Sequence, residues 1–129
     1  MVVINRSEVV GRPLAAMLAN DGAEVISLAV SSTQLFEPAI GRHAHGVRDS
    51  DEDRRSALAR ADVVITGVPS RSFPLVGADE IAPGAICVNF SQFRNFDDSV
   101  HDKASVFIPR VGPMTVTMAM RNLVRLAAL

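Results

Sequence analysis

The sequence predicts an α/β domain with a doubly wound, mostly parallel sheet and helices on both faces, and three observations carry that expectation. Short β-branched runs, of the kind that form strands buried on both sides, alternate with segments of helical spacing. The turn after each run is small and polar, or rich in glycine and proline. With 129 residues, 48% of them hydrophobic, the chain supplies the core of a single Rossmann-like domain.

Val2 to Ile4 is the first such run. Pro13 to Asn20 follows as a helix with Leu14, Met17 and Leu18 at helical spacing, stopped by Asn20-Asp21-Gly22. Val25 to Val30 is the second strand, and the hydroxyls of Ser31, Ser32 and Thr33 are expected to cap a short helix through Leu35. From Glu37 to Ser50 the periodicity is lost, which reads as a polar surface excursion. Asp51 to Arg60 is charged and helix-compatible, and it leads to a third strand over Asp62 to Thr66. Ala85 to Phe90, introduced by Pro83-Gly84, is a fourth, and Ser105 to Ile108, closed by Pro109, is a fifth. Pro113 then opens a final helix with Val116, Met120, Leu123, Val124 and Leu126 as its apolar positions.

In such sheets, ligands bind beyond the carboxyl ends of the strands, where the strand order reverses. The segments that reach that edge are Asn5-Arg6-Ser7, Ser31-Ser32, Thr66 to Pro69, Asn89 to Ser91, and Pro109 to Thr115. The first strand–turn–helix also occupies the place of the dinucleotide fingerprint G-x-G-x-x-G, its three positions filled by Asn5, Ser7 and Val10. None of the three is glycine, so the letters match poorly. The context fits better: Ser7 is small and can donate, Gly11 permits close packing, and Arg6 offers a planar cation for phosphate. An ordinary strand–helix connection with a surface arginine is the plain alternative.

Other features narrow the class. A net charge of -1 without a basic cluster argues against a nucleic-acid surface. Cys87 is the one cysteine, which excludes an internal disulfide; it reads as a small buried hydrophobe in a cytosolic protein. No apolar run reaches about eighteen residues, so no membrane-spanning helix is expected, and no signal peptide is visible. His43 and His45 lack a second pair of ligands at a recognisable spacing and read as loop residues, so no metal is expected. Met114, Met118 and Met120 read as packing on the last helix, and Asp49 to Arg55 as a solvated helix start. A strand that begins at Met1, with nothing ahead of it to cover it, leads to the expectation of a further segment upstream.

Four stretches together, VINRSEVVGRPLAA from Val3, DVVITGVPS from Asp62, GAICVNF from Gly84 and GPMTV from Gly112, resemble the cofactor domain of methylenetetrahydrofolate dehydrogenases. Asn5 in place of a glycine, the TGVPS turn and the short segment from Pro109 to Thr115 align it with the monofunctional, NAD-dependent, yeast-type branch. The resemblance implies an NAD(P)-binding domain over residues 1–129, with an N-terminal folate-binding catalytic domain that this chain lacks. It implies hydride transfer from 5,10-methylenetetrahydrofolate to NAD, a tetrahydrofolate substrate held only with that other domain, a full-length homodimer, and a cytoplasmic role in one-carbon metabolism and purine biosynthesis.

By the same resemblance, Arg6 and Ser7 lie at the pyrophosphate or adenosine ribose, beside the fingerprint positions Asn5 and Val10. Ser31 and Ser32 lie at the ribose, and Gly67, Val68 and Pro69 border the adenosine and pyrophosphate. Asn89, Ser91, Gly112 and Thr115 frame the nicotinamide side. NAD enzymes often place an acid after the second strand, whereas this chain has Ala29-Val30-Ser31. The absence of a basic residue there disfavours NADP, and Arg6 weakens that inference. No catalytic residue is assigned, since the family's lysine and tyrosine belong to the other domain. This chain has no tyrosine, and its one lysine, Lys103, lies too late. The alternatives are a non-catalytic nucleotide-binding or oligomerisation module derived from the same fold, and another Rossmann dehydrogenase. Loss of a neighbouring domain leads to the expectation of an exposed apolar patch near the first strand and the last helix.

Overall fold

The computed structural model describes residues 1–129. Seven strands form one sheet: β1 (Val2–Ile4), β2 (Val25–Leu28), β3 (Thr33–Glu37), β4 (Gly46–Ser50), β5 (Val63–Thr66), β6 (Ile86–Asn89) and β7 (Val106–Ile108). Their spatial order is β4-β3-β2-β1-β5-β6-β7. From β2 to β7 every pair is parallel, while β3 and β4 add an antiparallel edge. The helices are α1 (Gly11–Asn20), α2 (Arg54–Ala59) and α3 (Gly112–Ala127), with a 3-10 turn at Asp98–Asp102.

Alternation along the strands divides the core in two. Val3 and Val25 face α1, where Ala15, Ala19 and Phe36 complete one cluster. Val2, Ile4, Ile26, Val64 and Cys87 face the other way, against Ala57 and Leu58 of α2 and Val76, Ile81, Phe96 and Val100 of the later loops. The small residues of α1 let the helix lie close on the sheet. α2 starts where the Asp53 side chain accepts from the Ser56 N–H at 2.9 Å, the usual way of satisfying a free helix-end amide.

Several expectations meet a different outcome in the fold. The hydroxyls of Ser31, Ser32 and Thr33 do not cap a helix: they form a tight turn closed by Ala29 N–H to Ser32 O at 3.0 Å, and the chain returns as β3. Leu35 and Phe36 are both buried, on opposite faces of the sheet, a pattern that only an extended strand allows. The excursion from Glu37 to Ser50 ends in β4, a strand whose exposed Arg48 and Asp49 suit an unpaired edge. The second strand stops at Leu28, leaving Val30 in solvent.

The last helix also departs from expectation. Every residue of α3 is exposed, so Met114, Met118 and Met120 are not packed into a core. The expected apolar patch is therefore on α3 and on the outer face of β6 and β7, where Ile86, Val106 and Ile108 are exposed, and not on β1, which lies mid-sheet with Val2 and Val3 fully buried. Val116, Ala119, Met120, Leu123, Val124 and Ala127 fall on one side of α3, and Thr117, Arg121 and Arg125 on another. No helix is long and apolar enough to cross a membrane.

Candidate functional site

The chain reverses direction across the sheet at β1, since β2 lies to one side of it and β5 to the other. At the carboxyl ends of these three strands lies a cleft of about 710 Å³. It is lined by Asn5 and Arg6 after β1, Ala29 to Ser32 after β2, Val68 and Pro69 after β5, and by Ser50, Asp51 and Glu52 from the connection between β4 and α2. Six of the residues expected at a site therefore meet here: Asn5, Arg6, Ser31, Ser32, Val68 and Pro69.

The turn after β1 is braced by its own side chains. Asn5 Nδ2 donates to the Gly67 carbonyl at 2.7 Å, and its Oδ1 accepts from Ser7 N–H at 2.9 Å, which ties the β1 and β5 turns together. Asparagine at this position is thus a strut. Ser7 Oγ accepts from the N–H groups of Val10 (3.1 Å) and Gly11 (3.3 Å), capping α1 from outside the helix and leaving its own O–H free to donate. The peptide N–H groups of Glu8 and Val9 make no bond within the chain and stand in solvent ahead of α1. Free amides and the positive end of the helix dipole together suit a phosphate.

Close packing at the helix start falls on Gly11, while its neighbour Val10 is 40% exposed and lies outside the cleft. A Cβ on Gly11 would stand 2.1 Å from the Asn5 carbonyl oxygen, so only glycine lets α1 begin this close to β1. At Gly67 a Cβ would stand 2.0 Å from the Phe90 ring, which would have to move aside.

Arg6 reaches across the end of β2. Its Nη2 donates to Ser27 O (2.8 Å) and Ser32 O (3.0 Å), its Nη1 to Ser32 Oγ (2.5 Å), and its Nε makes a longer contact with Ser27 Oγ (3.4 Å). Four of its five N–H groups are thereby spent on the turn that holds Ser31 and Ser32. Partial burial, with Arg12 second, draws its pKa below the usual guanidinium range, and Asp49 opposes that shift. Arg54, the other cation of the cleft, is neutralised by a bidentate bridge to Glu80, both contacts 2.9 Å.

Val68 is fixed by a residue that no motif or periodicity singles out. Asn95, fully buried in the loop after β6, accepts from Val68 N–H at 2.8 Å and donates to Val68 O at 3.0 Å. Ser91 Oγ donates to the same carbonyl at 3.0 Å, and Asn89 Oδ1 accepts from Ser91 N–H at 2.8 Å. Asn89 and Ser91 line a second cavity of about 340 Å³ at the ends of β6 and β7, beside Arg94 and Arg110. Gly112 and Thr115 lie at the start of α3, and Thr115 Oγ1 is occupied by Val111 O at 3.0 Å.

Lys103 donates its Nζ to Ala78 O at 2.9 Å, a tie between two loops away from the cleft. His45 stacks on Phe36 and shares a 2.9 Å contact with Asn20 Oδ1. Burial pushes the Cys87 thiol up to about 11, so at neutral pH it is a packed, protonated group.

No family model matches the chain. It resembles the NAD-dependent methylenetetrahydrofolate dehydrogenase of Saccharomyces cerevisiae, 45% identical over 131 residues that take in 97% of this chain and 41% of that protein. The corresponding enzyme of Schizosaccharomyces pombe is 39% identical over 99% of this chain and 41% of its own length. In three dimensions the chain is similar to the solved NAD-dependent 5,10-methylenetetrahydrofolate dehydrogenase of Saccharomyces cerevisiae, with a TM-score of 0.86 over 98% of this chain and 41% of that one. The chain thus spans about two fifths of the length of these relatives.

Proposed function

We infer that this chain, which resembles part of the NAD-dependent methylenetetrahydrofolate dehydrogenases, is the NAD-binding unit of such an oxidoreductase. The observation that carries the reading is the cleft at the ends of β1, β2 and β5, with unbonded N–H groups at Glu8 and Val9 ahead of α1. Its volume of about 710 Å³ suits the adenosine half of a dinucleotide. The Glu8 and Val9 amides and the Ser7 hydroxyl would hold the pyrophosphate. Ser31 and Ser32 would lie along the adenosine ribose, and Val68 and Pro69 would form the apolar wall.

Bound NAD would supply the hydride acceptor for a reaction that converts 5,10-methylenetetrahydrofolate to 5,10-methenyltetrahydrofolate. This chain's own part is alignment. The struts from Asn5 to Gly67 and from Asn95 to Val68 fix the turns against which the nucleotide rests, so little ordering is left for binding to drive. Asn89, Ser91, Gly112 and Thr115 extend the same sheet edge toward the nicotinamide. Alignment of two reactants supplies about 7–11 kcal/mol in favourable cases. It requires a second wall, which we assign to a folate-binding domain that docks on the apolar side of α3. On this reading, the 129-residue chain by itself binds cofactor without turning over folate, and the complete enzyme is a cytoplasmic homodimer supplying one-carbon units for purine biosynthesis.

Calorimetric titration of the chain with NAD, beside NADP under the same conditions, tests the proposal. Saturable binding that favours NAD supports it. Absence of binding by either nucleotide would leave a fold without its site, and the non-catalytic module would then be the better reading.

A further inference from the structure

The end of β2 lacks the acidic residue by which many NAD-binding domains recognise the adenosine ribose, since Ala29, Val30 and Ser31 stand there. The antiparallel pair β3–β4 returns the chain to the same place and delivers Ser50, Asp51 and Glu52 into the cleft, on the lining shared with Ser31, Ser32 and Arg6. The three nearby carboxylates differ in what they are free to do. Glu52 is bound through both oxygens by Arg60, at 2.8 and 2.9 Å, and its backbone carbonyl accepts from Thr33 Oγ1. Asp49 lies on β4 opposite Gln34, outside the cleft lining, with a 3.5 Å contact to the Gln34 amide. Asp51 is exposed and makes neither a hydrogen bond nor an ion pair through its side chain.

We propose that Asp51, carried to the end of β2 by the β3–β4 pair, is the residue that selects an adenosine ribose with a free 2′-hydroxyl over one bearing a 2′-phosphate. The inference rests on the cleft being the dinucleotide site. The Asp51 carboxylate accepts from the 2′-hydroxyl, and its charge repels a phosphate in that place. Arg6 keeps its charge but offsets this repulsion only in part, because its hydrogen-bonding groups are committed to neutral partners elsewhere. Four of its N–H groups are held by Ser27 and Ser32, so it has one left, too few for a bidentate grip on phosphate. Its task is to hold the Ser31-Ser32 turn in shape. The acidic group that strand order places after β2 in other domains arrives here from a different segment.

The test is titration of the 129-residue chain and its Asp51→Asn variant with NAD and NADP at low and high salt. Asp51→Asn keeps the size of the side chain and removes its charge. Because Asp51 has no partner in the protein, the melting midpoint should be unchanged, which separates a site effect from a folding effect. The expected result is a NAD-over-NADP preference in the parent chain that falls about tenfold or more in the variant, through weaker NAD and stronger NADP binding. The preference should also shrink with salt in the parent and not in the variant. Asp51→Glu should retain most of it. A parent chain that binds both nucleotides equally, or a variant with an unchanged ratio, overturns the role of Asp51 and leaves the cleft as the nucleotide site. Failure of the parent chain to bind either nucleotide overturns both.

Discussion

Replacing Gly11 with alanine should loosen α1 from the sheet, and the cost can be worked from the contacts at that point. The new Cβ would stand 2.1 Å from Asn5 O, 2.3 Å from Asn5 Oδ1 and 2.5 Å from Asn5 C. Two of these atoms are backbone within the braced turn, and the third is held by Ser7 N–H, so none can swing aside cheaply. Relief needs α1 to retreat by about 1.3 Å, enough to open the contacts of Ala15 and Ala19 with Val3 and Val25. Overpacking of this kind costs about 1–3 kcal/mol, and each strained Asn5 hydrogen bond adds about 1 kcal/mol. Alanine's better helix propensity returns at most about 1 kcal/mol. The balance is a loss of about 3 kcal/mol, from a total of about 5–15 for a domain of this kind. At about 4 °C per kcal/mol, the melting midpoint should fall by about 12 °C. Urea and thermal unfolding followed by far-UV circular dichroism would measure it, with Val10→Ala as the neighbouring control that changes stability by less than about 0.5 kcal/mol. A Gly11→Ala midpoint within about 3 °C of the parent would refute the argument that close helix–strand approach falls on this glycine.

Asn95→Ala should cost about 1–3 kcal/mol, because it leaves the Val68 N–H without a partner while the Val68 carbonyl keeps only its bond from Ser91; urea midpoints would show it. The Glu52 pKa is lowered in the folded chain, first by its hydrogen bond from Arg60, so its stabilisation is present above the unfolded value near 4.5 and is lost as pH falls through the folded value. Glu52→Gln should therefore flatten the acid side of a stability–pH profile below about pH 4.5, and an unaltered profile would count against the bridge. The buried Cys87 thiol, pushed up to about 11, should react with a thiol reagent only as fast as the domain opens, so labelling should accelerate in urea. Leu123→Gln with Met120→Gln should reduce binding of a dye that reports apolar surface and leave the urea midpoint unchanged, since α3 buries no residue in this chain.

The parallel strands were legible because their residues are apolar on both faces. Val2 to Ile4, Val63 to Thr66 and Ile86 to Asn89 stand close to where their β-branched runs place them, and Pro113 marks the start of α3 to within one residue. The antiparallel pair was hidden for a physical reason. β4 is an edge strand with charged side chains, and its extended form is stabilised by backbone pairing with β3, which no periodicity announces. Likewise Asn95 looks like any loop amide until the fold brings it to Val68, a partner 27 residues earlier.

What the sequence determined by itself was the class of fold and the edge of the sheet at which a ligand would sit, because both follow from local apolar runs and from the turns that end them. Tertiary structure decided which polar groups are spent and which are free. Arg6, expected to meet a phosphate, is occupied by the turn after β2; Glu52 is occupied by Arg60; Asp51, from a segment that read as a solvated helix start, lines the cleft unpaired. A side chain's chemistry is written in its identity, but its availability depends on partners far along the chain, and only the folded arrangement brings those partners within hydrogen-bonding reach.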